Sequence, residues 1–171
     1  MSLSIALITL NEEANIERCL SSLKSFADEI ILVDMGSTDQ TLQKAKEFSA
    51  KIFTHPYTGF VEPARNYALD KTQGDWVFLI DADEELPKTL KLLLKELIRE
   101  KSKSFYRVPR KNIIFGRWIK HAYWWPDYQI RFFKIARGNC PNITACVGMD
   151  RASVLTFYLF FPILDLGDFN F

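Results

Sequence analysis

The sequence predicts an α/β fold, a mostly parallel sheet sandwiched by helices, with an antiparallel extension toward the C-terminus. Three observations predict it. Short, continuously apolar runs recur at Ser4 to Leu10, Ile30 to Val33 and Trp76 to Ile80, as strands buried on both faces require. Between them lie segments with apolar residues at helical spacing, such as Ile16, Cys19, Leu20 and Leu23. From Ser104 onward the pattern changes to aromatic and β-branched runs separated by basic or turn residues.

The first run ends at Asn11-Glu12-Glu13, a cap-type side chain and two acids that suit the start of a helix. The second run, Ile30 to Val33, stops at Asp34-Met35-Gly36-Ser37-Thr38-Asp39, where Ser37, Thr38 or Asp39 is expected to cap a helix reaching Ala50. Lys51 to Thr54 reads as a short third strand, and Glu62 to Asp70 as a short helix with Ala64 and Ala68 on one side. Trp76 to Ile80, bounded by Gly74-Asp75 and Asp81, reads as the central strand. Leu86-Pro87 then opens a helix, because proline is tolerated in a first turn, and Leu90, Leu93, Leu94, Leu97 and Ile98 line one face. Strand and helix alternate through this part, which implies parallel strands with helical crossovers. Ser104 to Val108, Asn112 to Trp118 and Tyr128 to Ile135 read as the added antiparallel strands.

The length, 171 residues, suits one domain with its own core. Hydrophobic residues at 48% and charged residues at 25% exclude a disordered chain. The net charge of +1 is uninformative, but Arg99 to Lys120 gathers eight cations against Glu100, a stretch that could face an anionic partner. Cys19, Cys140 and Cys146 are odd in number and lack metal-site spacing, which argues against a disulfide framework or zinc and fits a reducing compartment. The start of the chain shows no secretory pattern, so a cytoplasmic location is expected, with peripheral contact at the inner membrane face as its companion. Val154 to Leu164 is strongly apolar but short for a span, and is read as a buried strand or helix. The sequon Asn142-Ile143-Thr144 is read as chance.

In an open α/β sheet, ligands sit beyond the carboxyl ends of the strands, so the residues after each strand are the ones that matter. Thr9, Asn11 and Glu12, then Asp34, Gly36 and Ser37, then Asp81 and Asp83 should crowd one rim. Asp81-Ala82-Asp83 is the sharpest feature. Two carboxylates one residue apart after a buried strand can share a hard cation that would hold a diphosphate. The competing reading is that these acids, with Glu84 and Glu85, favour the start of the Pro87 helix. Asp34 and its Gly-Ser loop could bind a base or ribose, with amides at a Thr38 helix start adding positive charge. Arg65 could meet base or phosphate, or be a solvated helix arginine. The stretch Trp118 to Arg131, with Trp118, His121, Tyr123, Trp124, Trp125, Asp127 and Arg131, offers flat rings and polar groups suited to sugar faces; core packing is the alternative, favoured for Trp118 and Tyr128. His55 and His121 make neither a metal nor a triad case.

These residues together resemble family 2 glycosyltransferases, whose order of strand, N-E, amphipathic helix, V-D-x-G-S-T-D, A-R-N-x-A and D-A-D-E is matched between Ser4 and Arg137. The segments F-G-R-W-I-K-H and W-W-P-D-Y-x-x-R are similar to bacterial transferases of lipopolysaccharide core or other surface glycans. The resemblance implies a GT-A fold, a nucleotide-sugar donor such as a UDP-hexose, Mg2+ or Mn2+, and inversion at the anomeric carbon. By position, Thr9, Asn11, Glu12, Asp34 and Arg65 would hold the nucleotide, Asp81 would touch ribose or metal, and Asp83 would bind the metal. Trp124, Trp125 and Arg131 would meet a glycan or glycolipid acceptor, and no nucleic acid is expected. Residues 1–137 would form the nucleotide-sugar-binding domain and 138–171 a divergent or truncated tail of it.

Two departures stand out. Met35 occupies a position where many members have a second acid. No acidic motif supplying a catalytic base follows Arg137, so the base is unassigned and Asp127 and Asp150 are substitutes by residue type only. Two other readings follow: a nucleotide-sugar-binding remnant without turnover, and a nucleotidyltransferase, disfavoured because the first loop lacks a glycine-rich, basic phosphate cradle.

Overall fold

The computed structural model describes residues 1–100, 104–121 and 124–135, together with the backbone of Ser153–Val154 and Leu159–Ile163. Four parallel strands form the core: β1 (Leu3–Thr9), β2 (Glu29–Asp34), β3 (Lys51–Thr54) and β4 (Trp76–Asp81). The extension consists of β5 (Phe105–Ile114), β6 (Arg117–Trp118) and β7 (Asp127–Lys134), and the sheet order is β3-β2-β1-β4-β7-β5-β6. β7 lies antiparallel to both β4 and β5, as expected of the extension. Two further strands, β8 (Ser153–Val154) and β9 (Leu159–Ile163), run parallel to β5. Part of the apolar run from Val154 to Leu164 is thus a strand.

Strand alternation divides the core into two layers. Ile5, Leu7, Trp76, Phe78, Ile80 and Phe132 face α1 (Ile16–Leu23), α2 (Thr41–Ala45) and α4 (Lys88–Glu100). Ala6, Ile8, Val77, Leu79 and Phe133 face α3 (Glu62–Lys71) through Ala64 and Ala68. The expected stripes hold: Ile16, Cys19, Leu20 and Leu23 are all buried, as are Leu90, Leu94 and Leu97. Trp76 stacks on Phe132 at 4.6 Å between ring centroids and fastens the antiparallel extension to the central strand.

Three expectations need correction. Asn112 to Trp118 is not one strand: the chain reverses at Phe115-Gly116, with φ of 50° and 70°, and β5 pairs with β6 through Ile114 and Arg117. Positive φ at both central residues makes a tight hairpin turn, and glycine at the second removes half of its steric cost. The helix expected to reach Ala50 is only five residues, continued by a 3-10 turn at Lys46–Phe48. It starts at Thr41, whose amide donates to Asp39 Oδ1 at 3.0 Å, so of the three expected cap residues Asp39 makes the bond. Asn11 does not open a helix. With φ of 54° it leaves the strand, and its side chain crosses to the next loop.

Candidate functional site

Parallel register brings the predicted rim residues together. Thr9 pairs with Asp34 across β1 and β2, and Ile8 pairs with Asp81 across β1 and β4, so the last residues of three strands lie side by side. The loops beyond them brace each other. Asn11 N donates to Ser37 Oγ at 2.9 Å, and Asn11 Oδ1 accepts from Thr38 N at 2.8 Å. Glu12 N donates to Thr41 Oγ1 at 2.8 Å, and Gln40 N donates to Glu13 Oε2 at 2.9 Å. The Thr38 amide is therefore already satisfied by Asn11 and does not begin a helix.

Asp34 is 1% exposed, and its carboxylate is turned onto its own loop. Gly36 N and Ser37 N each donate to Oδ2 at 3.0 Å, and the Ser37 hydroxyl donates to Oδ1. Gly36 has φ of 99°, a conformation a side chain would strain, and this lets both amides point back at Asp34. Asp34 thus shapes the loop. Thr9 is buried as well and keeps a hydroxyl without a hydrogen-bond partner among the described residues.

Asp81 and Asp83 have different surroundings. Arg65 Nη2 reaches Asp81 Oδ1 at 2.9 Å, and Arg131 Nη2 reaches Asp81 Oδ2 at 2.7 Å. Burial alone would raise the pKa of Asp81, but the two guanidiniums overcome it and hold it at about 2. Asp83 makes no ion pair among the described residues. Burial first, then the charges of Asp81 and Glu12, push it up to about 6. A hard carboxylate with unbalanced negative charge beside it suits a divalent cation, and Asp83 fits that role better than Asp81. No three His, Cys, Asp or Glu side chains converge on a metal position among the described residues.

Glu84 completes the cluster and was not singled out from sequence. It is fully buried, accepts from Arg131 Nη2 at 2.6 Å and from Asp81 N at 3.1 Å, and burial raises it to about 7 against the pull of Arg131. Arg131, expected to meet an acceptor, is 3% exposed and bound to these two acids, which hold its proton more tightly than usual despite burial. The signal was present: an arginine inside the apolar strand Ile130-Arg131-Phe132-Phe133 requires a buried counter-charge. Cys19 also packs under the cluster, its thiol 3.7 Å from the Asp81 carbonyl, and burial pushes its ionisation well up.

Of the two substitute catalytic residues, Asp127 alone lies within the described residues. Asp127 is gripped by Arg110, whose Nε donates at 2.7 Å, and by Gln129 Nε2 at 2.9 Å. Despite partial burial, these bonds keep Asp127 below the usual carboxylate range, which makes it a weak proton acceptor. Asp150, Tyr123, Cys140 and Cys146 lie outside the described residues. Trp124 is 44% exposed, whereas Trp125 packs edge-on against Trp118 at 5.2 Å. Lys111 and Lys120 of the basic stretch both lie over the Trp118 ring, at 4.7 and 4.4 Å. No helix among the described residues is long and apolar enough to cross a membrane.

Solved structures share this architecture. One is Staphylococcus aureus TarS 1–349 in complex with UDP-GlcNAc, with TM-score 0.57 and 28% identity over 71% of this chain and 37% of that one. Another is Mycobacterium tuberculosis glucosyl-3-phosphoglycerate synthase in complex with Mn2+, UDP-glucose and phosphoglyceric acid. Its TM-score is 0.51, with 28% identity over 64% of this chain and 44% of that one. The fold is the expected GT-A arrangement. Among curated proteins, the chain is 35% identical over 122 residues to the lipopolysaccharide core biosynthesis glycosyltransferase LpsC of Rhizobium meliloti (strain 1021), covering 68% of this chain and 44% of LpsC. It is 44% identical over 88 residues to an uncharacterized glycosyltransferase of Rickettsia bellii (strain RML369-C), covering 52% of this chain and 30% of that protein. The chain thus spans less than half the length of either relative. The model of glycosyl transferase family 2 matches residues 4–157, past Arg137 and across most of the sequence, and the chain belongs to that family.

Proposed function

We propose that this chain holds the donor site of an inverting glycosyltransferase, which moves a sugar from a nucleotide diphosphate, a UDP-hexose, to a glycan or glycolipid acceptor. One observation supports this reading above the others. The two braced loops and Asp83 meet at a single sheet rim, with a carboxylate that has no ion-pair partner among the described residues. The UDP-sugar and Mn2+ named in the complexes of the two structural relatives support a UDP-linked donor and a divalent ion. The name of LpsC, a lipopolysaccharide core biosynthesis glycosyltransferase, supports an acceptor in surface-glycan synthesis.

In this reading, the loops ordered by Asn11 and Asp34 seat the nucleotide, and Thr9, whose buried hydroxyl has no hydrogen-bond partner among the described residues, ends β1, the strand before the first of them. Asp83, with Asp81, would hold the cation. When bound, that ion supplies positive charge against the departing diphosphate. The acceptor hydroxyl gives its proton to a carboxylate and its oxygen bonds to the anomeric carbon as the carbon–oxygen bond to the diphosphate breaks, which inverts the centre. Trp124 would stack on the acceptor sugar, and Arg65 and Arg131 keep Asp81 ionised throughout.

Calorimetric titration with UDP, GDP and UDP-glucose, with and without Mn2+, tests the donor site on the wild type and Asp83→Ala. Metal-dependent binding lost in Asp83→Ala supports it, and absence of binding to every nucleotide refutes it. A second reading, nucleotide-sugar binding without transfer, is favoured by Asp127, the substitute base within the described residues, being held in its ionised, weakly basic state by Arg110 and Gln129. Release of UDP during incubation with UDP-glucose separates the two, since only an active enzyme produces it.

A further inference from the structure

We propose that the arginine-lined cleft between α3 and β5 binds an anionic group, a phosphate or a carboxylate, carried by the acceptor glycan. This rests on the donor-site reading and adds the chemical class of the second substrate. The cleft measures about 630 Å3, room for a monosaccharide and its charged substituent. Arg65, Arg107, Arg110 and Arg131 line it, against the single lining acid Glu62 at its exposed edge.

The carboxylates that fix these arginines, Asp81, Glu84 and Asp127, are not among the lining residues. Three guanidiniums are thereby held from behind with little freedom left to lose on binding, the arrangement that favours recognition of an oxyanion. Arg107 is exposed and makes no ion pair among the described residues. Arg65 and Arg131 each retain a buried Nε–H with no acceptor there. Asn66 and Gln129 add side-chain amides to the same lining.

The position argues for the acceptor rather than the donor. Of the residues expected to hold the donor, those on the loops after β1 and β2 and Asp83 do not line the cleft, which opens on the other flank of β4, along β7 and β5; Arg65 alone of them lines it. Asp81 joins the two, because Arg65 and Arg131 both line the cleft and both bind its carboxylate.

The test is calorimetric titration at low salt with glucose 6-phosphate, glucuronate and glucose, with UDP run in parallel. The proteins are the wild type, Arg107→Gln and Arg107→Glu; Arg107 is exposed, so both variants should fold. The charged sugars should bind and glucose should not. Affinity should fall about tenfold in Arg107→Gln, the worth of one charge-assisted hydrogen bond, and be abolished in Arg107→Glu, with UDP affinity unchanged. The stronger of the two charged sugars identifies phosphate or carboxylate as the group recognised. Equal behaviour of glucose and glucose 6-phosphate, or full binding by Arg107→Glu, overturns the proposal. So does displacement of glucose 6-phosphate by UDP, which would assign the cleft to the donor diphosphate. Failure of the wild type to bind UDP while it binds glucose 6-phosphate would instead sink the donor reading, and the acceptor assignment with it.

Discussion

Lowering the pH should release the cation, and with it the donor, before it disturbs the fold. A metal ligand must be ionised, so apparent affinity follows the ionised fraction of Asp83. With burial and the charges of Asp81 and Glu12 holding Asp83 at about 6, that fraction is about 0.97 at pH 7.5 and about 0.09 at pH 5. Mn2+-dependent affinity should therefore fall about tenfold across this range, or about 1.4 kcal/mol, and by a decade per unit below pH 6. The assay is titration of UDP-glucose with and without Mn2+ at fixed ionic strength. UDP is unsuitable because its terminal phosphate takes up a proton in the same range. Glu12→Gln removes one of the charges that raise Asp83, so the midpoint should shift to lower pH. Affinity that stays flat from pH 7.5 to pH 5, or a decline that persists unchanged in Asp83→Ala, would refute this account of Asp83.

Two further predictions concern the frame of the site. Arg131→Met removes the cation between Asp81 and Glu84 and should cost about 3 kcal/mol at neutral pH, since it breaks a buried ion pair. Its deficit relative to wild type should widen as pH rises, because the folded variant holds a proton on Glu84 that the wild type has released; urea midpoints at pH 6 and pH 8.5 measure this, and a constant deficit would contradict it. Gly74→Ala should cost about 2–3 kcal/mol, or roughly 5–10 °C in thermal unfolding. A Cβ there would stand 2.8 Å from Ser4 N and 3.0 Å from Trp76 O, both backbone atoms that cannot move aside, so an unchanged Tm would show that the β1 and β4 edge is looser than this packing requires.

Most of the fold was legible because burial on both faces leaves a plain trace in sequence. Trp76 to Ile80 has no polar residue to interrupt it, and the stripe of Ile16, Cys19, Leu20 and Leu23 has one helical solution. Asn112 to Trp118 misled because Phe115 has strong strand propensity yet sits at the hairpin tip, 72% exposed, where turn geometry overrides side-chain preference. The helix after Asp39 was overestimated because its apolar residues do not report where α-helical bonding tightens into a 3-10 turn at Lys46. In the site, strand ends fixed which residues gather at the rim, but not how their charges pair. Asn11 was assigned to a helix start while its side chain serves the neighbouring loop, a contact 27 residues away that no local pattern encodes.

The pairing of charges is what gives Asp81-Ala82-Asp83 its division of labour. Taken as letters, the two acids are equivalent, and a shared cation is the natural reading. The chain leaves the sheet at Asp81, where Glu84 N turns back onto the Asp81 carbonyl at 3.0 Å, so the two carboxylates face different surroundings. Asp81 meets the guanidiniums of Arg65 and Arg131 and is fixed in its charged form, and Asp83 is left with neighbours of its own sign. Environments that push two nearby acids apart in this way separate their roles. Asp81 is the internal counter-ion of two arginines that line the cleft, while Asp83 makes no ion pair among the described residues and is the carboxylate proposed to take the cation. In the proposed function the same short motif would address both substrates, one through Asp83 and the other through the arginines that Asp81 pairs with.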